Sequence, residues 1–263
     1  MDALLVPPLS FTLLLTSMAI VGLAGVVRGF AGFGFSVLSV AGLGLLLSPA
    51  RVVPAILILE VLASMGQLPG VVREVDRRWL GWLVVGNALC IPLGIALLAW
   101  LPDTQLSLLI AVLLVLAAAA LRSGVQLAVA QSRSVLLMTG MVCGVVNGVA
   151  AIGGIVVSLL LGATSMSPGA MRATLIALFL FTDLYALAWA AFLTLSDATA
   201  QPLLTMDTVR WVLLLAPAMG AGIWIGQKSF IRASPEQYRR RVLNLLMGVA
   251  VISGLKSLVD FLQ

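Results

Sequence analysis

The sequence predicts an all-α polytopic membrane protein built from two inverted repeats, and three observations lead there. Of the 263 residues, 62% are hydrophobic and only 10% charged, against roughly 45–50% and about 25% in soluble domains. The apolar runs are long and continuous, without the alternation of a membrane β-barrel, so the spans are helical. Finally, one glycine-rich stretch occurs twice.

Shifting the chain by 119 residues lays Gly25–Pro49 (GVVRGFAGFGFSVLSVAGLGLLLSP) on Gly144–Pro168 (GVVNGVAAIGGIVVSLLLGATSMSP). Ten of these 25 positions are identical without a gap: Gly25, Val26, Val27, Gly29, Ala31, Gly34, Val37, Ser39, Ser48 and Pro49. The match marks a duplication. Residues 1–122 form the first repeat, 123–133 a cytoplasmic linker, and 134–263 the second repeat of one membrane domain.

The chain start carries Asp2 and no basic residues before its first apolar run, so no cleaved signal peptide is expected. From Ser10 to Leu47 is 38 residues, about 57 Å as a straight helix and nearly twice the ~30 Å hydrocarbon core. The glycines make Arg28–Gly34 the natural break. Gly34–Leu47 extends only about 21 Å, and in the second copy both pieces, Val135–Asn147 and Gly154–Met166, are short. Each repeat therefore opens with a glycine-broken helix pair or re-entrant hairpin. Ser48-Pro49 and Ser167-Pro168 then read as helix starts, serine at the N-cap and proline at the first helical position. Three transmembrane helices follow in each repeat: Ala50–Gly66, Trp79–Trp100 and Gln105–Leu121, then Gly169–Leu195, Thr208–Gln227 and about Arg241–Phe261.

Charge separates two topologies. If each broken segment crosses once, the loop cations split evenly between the two sides. If each enters and returns to the same side, the repeats are inverted and one side collects Arg73, Arg77, Arg78, Arg122, Arg133, Arg172, Lys228, Arg232, Arg239, Arg240 and Arg241. The other side keeps Arg51, Arg210 and Lys256. That asymmetry is the one expected with the larger group in the cytoplasm, and it puts both termini outside.

Inverted broken helices converging near the midplane are a common layout of transporter sites. The second half-helices would point unpaired N–H groups inward and favour an anion. Arg28, whose repeat partner is Asn147, adds a permanent charge and a planar set of donors suited to an oxyanion. The expected substrate-binding residues are Arg28, Gly29, Phe33, Gly34, Phe35, Asn147, Gly148, Gly153 and Gly154. The competing reading makes the glycines packing devices and Arg28 an interfacial or capping side chain. Glu60 and Asp183 each sit in an apolar segment, as coupling or gating groups or as partners of Arg28 or a hydroxyl. Asn87 reads as a helix–helix hydrogen bond.

The chain has no histidine, which removes the commonest metal ligand and proton relay. Cys90 and Cys143 read as small apolar residues. No catalytic constellation, metal site, cofactor motif or phosphate-binding loop is present, so an intramembrane enzyme is the least favoured class. A channel or an accessory membrane subunit is the runner-up. Arg239–Arg241 reads as an anchor on anionic lipid, and no nucleic-acid role is expected.

At the duplicated motifs, GVVRGFAGFGFS and GVVNGVAAIGGI with their Ser-Pro helix starts, the sequence resembles the sulfite exporter TauE/SafE family, also called the toluenesulfonate uptake permease family. The resemblance covers nearly the whole chain. It implies two related halves and transport, with export favoured, of small sulfur anions such as sulfite or organosulfonates across the bacterial inner membrane. Family motifs often show a fuller glycine run; here the first copy reads Gly32-Phe33-Gly34-Phe35 and the second keeps Gly153-Gly154. Phe33 and Phe35 would line the pocket against an organic group or pack. The expected partners are a small anionic substrate, the lipid bilayer and a second copy in a homodimer.

Overall fold

The computed structural model describes residues 11–122, 132–162, 164, 166–196 and 202–231, which form helices, turns and short connections without a strand. Helix α1 (Phe11–Ala31) leads through a break into α2 (Phe35–Leu43). After α3 (Pro49–Val71), a 3₁₀ turn (Val72–Glu74) leads into α4 (Arg77–Trp100) and then α5 (Asp103–Arg122). The second half runs α6 (Arg133–Ala150), α7 (Gly154–Gly162), α8 (Pro168–Ser196) and α9 (Met206–Ile231). The expected segment Arg241–Phe261, most of the linker, and the cations Arg232, Arg239–Arg241 and Lys256 lie outside the described residues.

Local chemistry sets the helix starts. The Asp76 carboxylate accepts from the Arg78 and Trp79 amides at 3.0 and 3.1 Å and caps α4. Ser132 caps α6 through Val135 N–H, and Ser167 caps α8 through Ala170 N–H, each at 3.3 Å. Ser48 precedes Pro49 at the head of α3 but makes no side-chain cap bond, so there the proline does the work.

The 119-residue shift carries α2 onto α7 residue for residue, and each has nine residues, about 14 Å. The first members of the pairs differ from expectation. α1 has 21 residues and α6 has 18, each long enough to cross a membrane. Arg28 and Asn147 stay helical because their side chains find polar partners inside the protein, so the chain breaks three residues later. Both breaks begin alike, Gly32 N–H returning to Arg28 C=O and Ala151 N–H to Asn147 C=O, each at 2.7 Å, but the first adds a second left-handed residue, Gly34 at φ 90°, that its counterpart Gly153 does not share. Gly32 has φ 81°, and Ala151, its counterpart under the shift, has φ 58°. α2 then doubles back along α1, since a side chain at Gly42 would meet Ile20 within 2.6 Å.

The halves pack by exchanging helices. α1 lies against α9, and α6 against α4. Gly25 meets Met219 and Gly222, while Gly29 meets Ile223. Gly86 meets Leu137 and Gly140, and Gly94 meets Val145 and Gly148. Numbers rise together along both members of each pair, so the paired helices run parallel. Glycines here let backbones touch, the usual means of tight association where lipid supplies no hydrophobic drive. Helices α3 and α8 cross between these pairs.

Among the described residues, six helices are long and apolar enough to span a membrane: α1, α3 with its 3₁₀ turn, α4, α6, α8 and α9. Leu23, Leu89, Leu213 and Trp224 are exposed on their outward faces, as lipid-facing residues are. The protein is a polytopic membrane protein.

Gly144→Leu should destabilise the protein by about 1–3 kcal/mol through overpacking, because its new Cβ would lie 2.7 Å from the Asn87 carbonyl oxygen. Gly81→Leu, with nothing within 4 Å, should be neutral. Thermal unfolding in detergent compares the two, and equal losses would contradict the close α4–α6 contact.

Candidate functional site

Four charged side chains are buried among the described residues: Arg28, Glu60, Arg172 and Asp183, two of each sign. They gather where the two breaks approach α3 and α8. Arg28, in the last turn of α1, is fully buried. Its Nη1 lies 2.6 Å from Glu60 Oε2, its Nη2 donates to Ser64 Oγ at 2.6 Å, and its Nε donates to Gln67 Oε1 at 3.2 Å. The guanidinium carbon stands 4.8 Å from the centre of the Phe179 ring. One face of α3 and one residue of α8 thus enclose the charge.

Glu60 has a second partner. Its Oε1 accepts from the Ser36 amide at 3.3 Å, one of the unpaired N–H groups at the start of α2. The carboxylate therefore bridges the guanidinium and the positive end of a short helix. In the second half, Asn147 Nδ2 donates to Asp183 Oδ1 at 2.8 Å. Asp183 lies within electrostatic reach of both Glu60 and Arg28.

The two half-sites correspond. Under the 119-residue shift, Arg28 matches Asn147 and Ser64 matches Asp183, so Arg28–Ser64 and Asn147–Asp183 are the same contact in two chemistries. Glu60 matches Phe179. The acid sits on one side of Arg28 and its apolar counterpart on the other, where the Phe179 ring also packs against Gly154 of the second break.

A model of the family described as Sulfite exporter TauE/SafE matches residues 17–253, nearly the whole chain. This chain belongs to the TauE/SafE family. No match was found among curated proteins or among solved structures.

In this TauE/SafE protein, Arg28, Phe33, Gly34, Phe35, Asn147, Gly153 and Gly154 all lie at or beside the two breaks, and Arg28, Phe33, Phe35 and Asn147 are buried. Gly29 and Gly148 lie there too, but each faces a neighbouring helix: Gly29 presses on Ile223 of α9, and Gly148 on Ile91, Gly94 and Ile95 of α4. Glu60 joins Arg28 directly, whereas Asp183 joins Asn147. Asn87 donates within its own helix, to Leu83 C=O at 2.8 Å. Both cysteines are free.

Sequence reasoning missed Ser64, Gln67, Phe179 and Arg172. The signal was present, because Glu60, Ser64 and Gln67 are spaced four and three apart on an apolar helix and so share one face. Arg172, Phe179 and Asp183, spaced seven and four apart, do the same on α8. Arg172 had been counted with the cytoplasmic loop charges. It is instead buried in the second turn of α8, donates to Gly29 C=O at 3.0 Å, and lies against Gly32 at the tip of the first break. It satisfies a carbonyl that the end of α1 would otherwise leave open.

A buried pair of this kind is destabilising mainly when one partner is removed alone. Arg28→Met should cost about 3–5 kcal/mol, and Glu60→Leu about as much. The double substitution should recover most of the loss. Unfolding midpoints of the four proteins test the coupling, and simple additivity would contradict it.

Proposed function

We propose that this TauE/SafE protein is a secondary transporter, working as an exporter, of small sulfur oxyanions such as sulfite or short organosulfonates in the bacterial inner membrane. Its anion site lies where the two glycine breaks approach each other. The observation that carries this reading is a fully buried guanidinium at a helix break, beside the amide end of a second helix. Arginine's planar donors suit a sulfite or sulfonate group, and irregular backbone inside a membrane is tolerated where it lines a cavity or is buried in protein. Membership of a sulfite exporter family supports both the substrate class and transport over catalysis.

The repeats are inverted in this account. α2 folds back on α1, which favours a hairpin over a continued crossing and makes α3 run with α1. α4 then runs against α1, and because α4 and α6 are parallel, α6 runs against α1. The site also lies deep. Glu60 and Phe179 each lie eleven residues beyond Pro49 and Pro168, the starts of α3 and α8. That is about 16 Å along each helix, near the middle of a ~30 Å core.

Within this site Arg28 holds the oxyanion, and the amides after Gly34 and Gly153 face it. Phe33, Phe35 and Gly154 shape the space for any organic group. Asn147 and Asp183 form the opposite wall, and Glu60 regulates access to Arg28. Gly29 and Gly148 contribute by letting α1 and α6 close on their neighbours, which fixes the tips. A homodimer braces the moving halves.

Sulfite or sulfoacetate should raise the melting temperature of detergent-purified wild type, as a ligand binding only the folded state must. Arg28→Gln, which keeps hydrogen-bonding capacity but gives up the charge that pairs with Glu60 and so loses stability as Arg28→Met does, should weaken binding more than tenfold, at least about 1.4 kcal/mol. Undiminished binding by the folded variant would overturn the site. Cysteines introduced between Arg73 and Arg78 should be labelled from the cytoplasm and cysteines at either terminus from outside. Labelling of that loop and the termini from one side would overturn the inverted arrangement.

A further inference from the structure

The two donors assigned to an entering anion are already occupied from within the protein. Glu60 Oε2 lies 2.6 Å from Arg28 Nη1, and Glu60 Oε1 accepts from the Ser36 amide at 3.3 Å. A carboxylate and a sulfonate both offer oxygens on one small anionic centre, so Glu60 sits as a substrate head group would sit. Glu60 is tethered to α3 and almost wholly buried. An anion cannot share Arg28 with it, because two negative groups in contact inside a low-dielectric interior repel strongly.

We propose that Glu60 is a tethered stand-in for the transported anion: a sulfur oxyanion takes its place on Arg28 and the Ser36 amide, and the released carboxylate takes up one proton. The inference rests on the anion-site reading above. Charge balance requires the proton. In the Arg28–Glu60 pair the guanidinium and the carboxylate cancel, so a monoanion that takes Glu60's place leaves a buried carboxylate without a counter-charge. Protonation of the freed carboxylate restores the balance, with Arg28 then paired to the anion and Glu60 a neutral acid. Among the described residues, the charged groups acting on Glu60 are Arg28 from α1 and Asp183 from α8, while α2 meets it with the Ser36 amide. Asp183 is the other conceivable proton acceptor. However, it is bonded to Asn147 rather than to an arginine, and substrate arriving at Arg28 does not displace it. Anion and proton then move together, so a monoanion crosses without net charge: export runs down the anion's own gradient, gains nothing from the membrane potential and is opposed by an inwardly directed proton gradient.

Calorimetric titration of the purified protein tests this. The probes are methanesulfonate and isethionate, whose charge does not change over the titrated range, and sulfite, with its own protonation subtracted. Repeating each titration in buffers of different ionisation enthalpy counts the protons exchanged. Wild type should take up one proton per anion and bind about tenfold more tightly for each unit the pH falls. Glu60→Gln should bind without proton uptake, with an affinity flat in pH and above that of wild type at alkaline pH. Glu60→Asp should restore the proton. Wild-type binding without proton uptake, with Arg28→Gln still abolishing it, would overturn the stand-in role and leave the anion site intact. Proton uptake lost in Asp183→Asn but kept in Glu60→Gln would overturn the assignment to Glu60. Unaltered binding by Arg28→Gln, or no binding of any probe by wild type, would overturn the anion site and this inference with it. The wild-type proton count stands even if a variant fails to fold.

Discussion

A guanidinium buried among apolar helices governs the arrangement around it. Even on insertion scales an arginine at mid-membrane costs about 2.5–3.5 kcal/mol, so Arg28 needs a counter-charge and enough acceptors for its donors. Glu60, Ser64 and Gln67 supply these from one face of α3, and Phe179 covers the guanidinium from α8. Those contacts fix α1 against α3 and α8. Because Glu60 also holds the Ser36 amide, they fix the start of α2 as well. A single charge thereby ties the first break to both central helices.

The glycine contacts make that arrangement rigid by joining the halves. α1 packs on α9 and α6 on α4, so each half completes its packing with a helix of the other. Parallel backbone contact through Gly25, Gly29 and Gly222 in one pair, and Gly86, Gly94, Gly140, Gly144 and Gly148 in the other, leaves little freedom for either pair to slide. The two breaks open with the same backbone turn and differ in their side chains. An arginine with a glutamate lines the first, and an asparagine with an aspartate the second. The first break thus holds the guanidinium and its glutamate, and the second an amide and its aspartate.

Much of the helical framework was legible in the sequence because it depends on local rules. The duplicated stretch located α2 and α7, and proline after serine located the starts of α3 and α8. The ends of α1 and α6 were not legible. Glycine content pointed to a break beginning at Arg28, but polar partners distant in sequence keep the helix intact to residue 31. Arg172 was misread for a related reason: an arginine near a helix start resembles a loop charge until the carbonyl it serves, on Gly29, is known. The exchange of helices between halves was also hidden, since glycine spacing identifies a packing face but not the helix that fills it. Glu60 and Asp183 stood out as acids in apolar segments, yet only the fold separates them, one on Arg28 and the other on Asn147.

The central claim is that Arg28 is where the transported anion sits, and flux tests it most directly. Purified protein in liposomes loaded with unlabelled sulfite would be offered trace radiolabelled sulfite outside, and its transient accumulation followed for wild type and Arg28→Gln. The account predicts saturable counterflow in wild type and its loss in a folded, correctly inserted Arg28→Gln. Counterflow of equal size in the two proteins would contradict it.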